Sequence, residues 1–344
     1  CTFSFKSKAN DYNSATTAHI IAETLKGTDM NYSEILNSET QRLIHGMSLD
    51  IIDVIFKNMP SILDSISAEL RLQADKDYKC ALPAALALEL FHNFSLIHDD
   101  IMDEAPIRRG KETVHKKWDL NTGILSGDAM LILAYQLFEN YESDMFSELA
   151  KLFSKTALQV CEGQQYDVDF ETRNNVTIEE YLKMIEYKTA VLLGAAMQMG
   201  AIVAEASDAC KVHSYEFGRN LGIAFQLQDD YLDCFGDPEK FGKQVGGDII
   251  SNKKTYLYLT ALVNCNEIDK KRLIKLFSET PKDPSQKIIE VKDLYVKSGA
   301  ANQSLKEITN FTQKANTIIE KLNISKNNKY LLRSFSDQLM KRKV

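Results

Sequence analysis

His92-Asn93-Phe94-Ser95-Leu96-Ile97-His98-Asp99-Asp100-Ile101-Met102-Asp103-Glu104-Ala105-Pro106-Ile107-Arg108-Arg109-Gly110 is the stretch on which the reading of this chain turns. Three aspartates close an apolar run that begins near Ala84, and two arginines follow them. If the run is helical, Asp99 and Asp103 lie four residues apart on one face and their carboxylates converge. Converging carboxylates repel one another unless a cation joins them. Mg2+ takes one or two carboxylates and fills the rest of its shell with water and phosphate oxygens. Arginines beside such a metal suit a bound phosphate, which a guanidinium grips through paired hydrogen bonds.

The same spacing returns in Phe225-Gln226-Leu227-Gln228-Asp229-Asp230-Tyr231-Leu232-Asp233, where Gln226, Asp229 and Asp233 fall on one helical stripe. A single DDxxD word reads as an acidic turn on a solvated helix. Two such words, both set in apolar sequence, put charge where burial is expected, and uncompensated buried acids cost several kcal/mol. The flanks of the two words do not repeat, so the echo points to a shared chemistry rather than to an internal duplication.

The rest of the chain narrows the classes. A formal charge of −7 over 344 residues argues against a nucleic-acid partner, which would need a basic face. Six scattered cysteines without a CxxC pair read as free thiols in a reducing compartment and imply no zinc site. No secretory h-region opens the chain. The most apolar run, Ala190 to Ala204, is short for a membrane span and reads as a buried helix of the core or of an interface. These features predict a soluble, cytoplasmic protein. With six prolines, no alternating strand pattern and many i, i+3, i+4, i+7 windows, the chain reads as all-α. Breaks are predicted near Lys26-Gly27-Thr28-Asp29, Glu104-Ala105-Pro106, Arg173-Asn174-Asn175, Gly236-Asp237-Pro238, Gly246-Gly247-Asp248, Pro281-Lys282-Asp283-Pro284 and Lys326-Asn327-Asn328.

With Arg108-Arg109-Gly110 after the first word, and Gly242-Lys243, Asp248 and Lys253-Lys254-Thr255 after the second, the chain resembles the trans-isoprenyl diphosphate synthases from about Ala81 onward. These include the farnesyl and geranylgeranyl diphosphate synthases. The resemblance implies an isoprenoid-synthase-type helical bundle around a central cavity, forming one domain over residues 1–344. It implies Mg2+, three ions, as cofactor; isopentenyl diphosphate and an allylic prenyl diphosphate as partners; and a homodimer. Metal binding is carried to Asp99, Asp100, Asp103, Asp229 and Asp233, and catalysis to Asp99, Asp100, Asp103, Lys188, Asp229 and Asp230.

Further positions match residue by residue. His92 and Arg109 resemble contacts to isopentenyl diphosphate, and Arg108 a contact to the allylic diphosphate. Gly163-Gln164-Gln165-Tyr166-Asp167 resembles the family's GQxxD, and Lys188-Thr189 its KT pair, with Lys188 on the allylic diphosphate. Gln226, Lys243 and Lys253 complete the implied diphosphate contacts. The first 80 residues depart from the family. Where a Gly-Gly-Lys-Arg-x-Arg-Pro word is expected, this chain has Ile55-Phe56-Lys57-Asn58-Met59-Pro60, in which only Lys57 and Pro60 look like remnants, a surface lysine being the other reading of Lys57.

Product length is read from the helix before Asp99. Ser95 lies one turn ahead of Asp99, about 6 Å along the axis, and should line the tail tunnel. By resemblance, Phe94 five places before Asp99 and the small Ser95 four places before it look like a geranylgeranyl (C20) synthase. Helix geometry alone prefers Phe91 as the floor. Two other classes compete with the prenyltransferase: a terpene-synthase-like lyase on the same fold, favoured by the degraded Lys-Arg word, and a non-catalytic subunit, which would need broken aspartate words. Both words are whole, and the second is not the NDxxSxxxE type usual in cyclases.

Overall fold

The computed structural model describes residues 78–108, 110–236 and 246–341. Lys57, Arg109 and Lys243, with the Lys26–Asp29 break, lie outside the described residues. Contacts divide the chain into two compact units, one holding Lys79–Ala150 and the other Lys151–Val344.

In the first unit, α1 (Leu82–Met102) is entered through a short 3-10 turn and carries Pro83 in its first turn, where a missing N–H costs nothing. It packs on α3 (Leu120–Leu137). Between them lie a hairpin of two-residue strands, β1 (Ile107–Arg108) and β2 (Lys111–Glu112), and the single-turn α2 (Val114–Lys117). Asp119 caps α3 by accepting from the Thr122 N–H at 2.7 Å. The long α4 (Ser143–Thr172) begins in this unit, and the division falls within it.

In the second unit the chain runs through α5 (Ile178–Ile185), a π turn (Glu186–Ala190), α6 (Val191–Val203) and α7 (Asp208–Phe235). It continues through α8 (Gly247–Ile250), α9 (Tyr256–Asn264), α10 (Glu267–Leu276), α11 (Ser285–Lys297), α12 (Ala300–Lys321) and α13 (Lys326–Met340). The predicted apolar helix is α6. It packs along α7 with Val191, Ala195, Met199 and Val203 buried, so it is core. The other face of α7 packs on α12.

The all-α expectation holds, with two local departures. The β1–β2 hairpin is too short to leave an alternating signature, and Gly110 precedes β2 at φ 78°. Lys326-Asn327-Asn328, expected as a break, is instead the first turn of α13. The Ser325 side chain caps it by accepting from the Asn328 N–H, so the polar run reads as loop although its cap makes it helix. Among the described residues, no helix is long and apolar enough to cross a membrane.

Candidate active site

In the first unit α1 ends at Met102, one residue before the last aspartate of its word, and Asp103 is its C-cap. The Asp103 N–H still donates to the Asp99 carbonyl at 2.9 Å, so the one-turn stacking of these two residues survives. Glu104 then adopts a left-handed conformation, φ 49°. The Ala105 N–H reaches back to the Asp100 carbonyl at 2.9 Å and that of Glu104 to Ile101 at 3.3 Å, the pattern of a Schellman cap. This reversal, with the Thr113 hydroxyl bonded to the Ala105 carbonyl at 2.6 Å, feeds the hairpin and turns Arg108 back over the helix end. The Arg108 Nε donates to Asp100 at 2.7 Å and its Nη2 to Asp99 at 3.3 Å.

Asp100 is buried and Asp103 exposed. Burial pushes the Asp100 carboxyl up, and the Arg108 guanidinium pulls it back down. His115, on α2, adds to that pull, and both of its ring nitrogens are buried without a hydrogen-bond partner among the described residues. No motif singled it out; the only signal was its place shortly after the arginine pair. His92 and Ser95 are half-buried, and the Ser95 hydroxyl donates to the His92 carbonyl at 2.8 Å.

In the second unit the π turn carries Lys188 and Thr189. Such one-residue bulges are strained and concentrate at functional sites. Gly163 on α4 explains how this one packs, because a Cβ there would stand 2.2 Å from the Lys188 backbone nitrogen. Only glycine lets the two backbones approach so closely. Four residues along α4, Asp167 accepts from the Lys188 Nζ at 2.5 Å, so the GQxxD and KT words are joined by an ion pair. The amide nitrogen of Gln164 is buried without a partner among the described residues.

On α7, Asp229 and Asp233 are half-buried, while Asp230 is buried. Tyr181 of α5 donates its hydroxyl to one oxygen of Asp230, and the Gln226 amide donates to the other at 3.0 Å. Gln226 in turn accepts from the Thr189 hydroxyl at 3.1 Å. Asp233 accepts from the Asp248 N–H at 3.0 Å, and its carbonyl takes the Gly246 N–H at 2.7 Å. A second Schellman cap closes α8, with Asn252 at φ 58° and the Lys253 N–H on the Asp248 carbonyl at 2.9 Å. Buried Lys287 holds the Asn252 side chain at 2.5 Å.

Lys188, Thr189, Gln226, Asp230, Asp248 and Lys253 line one cavity of about 600 Å3 within this unit, whose walls include Phe170, Tyr258 and Phe277. Lys254 also borders it but caps the end of α4, donating to the carbonyls of Phe170 and Glu171 at 2.7 and 2.9 Å. The Asp248 carboxyl is lifted to about 7, first by burial, then by Asp233, Asp167 and Asp229, against the pull of Lys253. Carboxylates that raise one another in this way carry more negative charge than the neighbouring lysines offset, a setting that suits a cation. Among the described residues no three His, Cys, Asp or Glu side chains converge into a metal cage.

The sequence profile of the polyprenyl synthetase family matches residues 56–294, and the chain belongs to that family. The match begins at the residue before Lys57, further toward the N-terminus than the motifs alone reach. The chain is 41% identical over 216 residues to a short chain isoprenyl diphosphate synthase of Methanothermobacter thermautotrophicus, covering 62% of this chain and 66% of the relative. It is 44% identical over 193 residues to a geranylgeranyl diphosphate synthase of Methanosarcina mazei, covering 56% and 60%. The aligned stretches thus span less than two thirds of those curated relatives. Among solved structures, a geranylgeranyl pyrophosphate synthase is 48% identical with a TM-score of 0.82, covering 97% of this chain and all of that one.

Proposed function

We propose that this chain is a Mg2+-dependent prenyltransferase that condenses isopentenyl diphosphate with an allylic prenyl diphosphate, giving geranylgeranyl diphosphate (C20). The observation that carries the reading is the cavity in which Lys188, Thr189, Gln226 and Lys253 stand beside Asp230 and Asp248. Cations and carboxylates set together in this way suit a diphosphate and its metal ions, and family membership supports the same chemistry. The family profile runs through both compact units, which supports reading them as one functional domain.

Asp99, Asp103, Asp229 and Asp233 are the residues that would hold Mg2+. Bound there, the metal would neutralise the diphosphate and make it a better leaving group. Lys188 and Arg108 contribute fixed positive charge where negative charge gathers on the departing pyrophosphate. Arg108 is engaged with Asp99 and Asp100 in this structure, so gripping a phosphate requires it to exchange at least one of these partners. Carbon 4 of isopentenyl diphosphate attacks the allylic carbon as its C–O bond to diphosphate breaks. A proton then leaves carbon 2, taken up by pyrophosphate, and the double bond reforms in the longer product. No covalent nucleophile takes part.

The reading also carries a homodimer, for which α3 offers apolar side chains left exposed: Ile124, Leu125 and Ile132. Sedimentation analysis tests that directly. The reaction is tested by incubating the protein with labelled isopentenyl diphosphate and farnesyl diphosphate, with Mg2+ or with EDTA. A Mg2+-dependent C20 product is expected. Release of pyrophosphate from the allylic substrate without incorporation of label would mean a lyase, and no reaction with any allylic substrate would mean a non-catalytic subunit.

A further inference from the structure

We infer that Tyr181 is a positioning residue and that Asp230, the middle carboxylate of the second word, is the clamp it acts through rather than a metal ligand. The inference rests on the prenyltransferase reading for its kinetic consequence, but not for its geometry. Both oxygens of Asp230 are engaged by uncharged donors, one by the Tyr181 hydroxyl and one by the Gln226 amide. Its side chain is buried, unlike those of Asp229 and Asp233. An aspartate held in this way borders the cavity with both oxygens already spent on the protein, and the less buried carboxylates of the word are those of Asp229 and Asp233.

The clamp has a second end. Gln226, one turn before Asp230, accepts from Thr189, which adjoins Lys188 in the π turn. Two points on the segment from α5 through the π turn, Tyr181 and Thr189, are therefore tied to two points one turn apart on α7. A π turn holds one residue more than an α turn and is the element here with most reason to relax into ordinary helix. Relaxation would rotate Lys188 away from Asp167 and from the cavity. Tyr181 is suited to resist it. It is 2% exposed, it packs against Tyr256 at a ring distance of 6.4 Å, and its helix start is fixed by a capping box between Thr177 and Glu180. Its donor therefore arrives from a rigid wall. The carboxylate, the amide and the two hydroxyls form a relay that sets the lysine turn and the aspartate word in one register.

Hydrogen–deuterium exchange of the ligand-free chain reads the clamp without any turnover. Tyr181→Phe should speed exchange of the amides of Glu186–Val191 by about tenfold and leave α12 unchanged. In steady-state assays the same variant should raise KM for the allylic diphosphate by about tenfold and keep KM for isopentenyl diphosphate within about twofold, a split that general loosening would not produce. Asp230→Leu should speed the same amides at least as much, and adding Tyr181→Phe to it should change nothing further, because the two act through one bond. Unchanged exchange in both single variants overturns the inference, as does an Asp230→Leu variant that loses turnover with its π turn still protected, which would mark Asp230 as a ligand. If Tyr181→Phe does not fold, the exchange of Asp230→Leu decides alone. A wild-type chain without prenyltransferase activity would remove the proposed function and leave the exchange result standing.

Discussion

At the end of α1, Asp99 and Asp100 meet the guanidinium of Arg108, whereas on α7 Asp230 takes the neutral donors of Tyr181 and Gln226, and Asp233 accepts from the Asp248 backbone N–H among its contacts. Each region then turns back through a Schellman cap whose left-handed residue is not glycine, Glu104 in one and Asn252 in the other. The first cap returns an arginine onto its aspartates, and the second leads into Lys253 beside the carboxylates of Asp248 and Asp230. One word of sequence is thus given a built-in counter-ion and the other a surplus of negative charge. The first region must trade a partner to accept a phosphate. In the second, a cation would relieve a repulsion already present.

The largest effects should come from the aspartates that neither region buries. Asp103→Ala and Asp229→Ala should each lower turnover by roughly 100-fold or more, since in the proposed reaction each removes charge that would hold the metal at the developing pyrophosphate. Thermal unfolding should be little changed, because Asp103 is exposed and Asp229 half-buried. Near-normal turnover of either variant would remove that word from the catalytic site.

Arg108→Met tests the built-in counter-ion and should be milder. It takes a phosphate contact from the substrate but also frees Asp99 and Asp100 from their partner, so kcat/KM should fall by about tenfold to 100-fold, chiefly through KM for the allylic diphosphate. It should also lift the Asp100 carboxyl further, by leaving burial unopposed by its main counter-charge. Carbonyl-carbon NMR of the labelled side chain would follow that titration, and a lowered value would contradict the role of Arg108 as the counter-ion of Asp100.

What the sequence made legible was local. The aspartate words, the GQxxD and KT pairs and the α6 core helix are patterns within one or two turns, and the structure joins GQxxD to KT through Asp167 and Lys188. What escaped was set by contacts between distant residues. Tyr181 lies 49 residues before Asp230 and belongs to no motif, and an amphipathic helix gives no sign of which tyrosine will carry a buried hydroxyl bond. The π turn was hidden for the same reason, since it depends on Gly163 leaving room for the Lys188 backbone. Arg108 was legible as a cation near the first aspartate word, but its engagement with the aspartates depends on the cap at Glu104. The β1–β2 hairpin is shorter than any period can register.

The surplus charge of the second region has a consequence for stability. With its carboxyl raised to about 7 in the folded chain against 3.8 ordinarily, Asp248 keeps a proton that the unfolded chain has lost over the pH range between those values. The folded state binds more protons there, so stability falls as pH rises through that window and levels off above it. Asp248→Asn, which cannot ionise, should flatten the decline by a few degrees of Tm, at roughly 2–4 °C per kcal/mol for a chain unit of this size. Differential scanning fluorimetry of both proteins from pH 4.5 to 8 checks it, and parallel curves would mean that Asp248 is ionised throughout.

The smallest effect on rate, and the sharpest on outcome, belongs to the helix ahead of the first word. Phe91, Phe94 and His98 form one stripe of α1, with the Phe91 and Phe94 rings 5.5 Å apart and Phe94 standing edge-on to His98 at 4.8 Å. Ser95 belongs with His92 and Asp99 on a different stripe and is half-buried. The two phenylalanines, at 1% and 9% exposure, are packed with each other, so neither stands alone as a floor. Shortening either should cost stability, about 3–5 kcal/mol for a buried phenylalanine cut to alanine, before any change in product can be read. The cleaner variant is Ser95→Phe, which adds bulk on the aspartate stripe and leaves the Phe91–Phe94–His98 stack in place. It should shift products from C20 to C15 or shorter while turnover with the shorter primer stays within about threefold, because no charged group is altered. Chromatography of the dephosphorylated products reads the chain length, and an unchanged C20 product would mean that the prenyl tail does not pass along this stripe of α1.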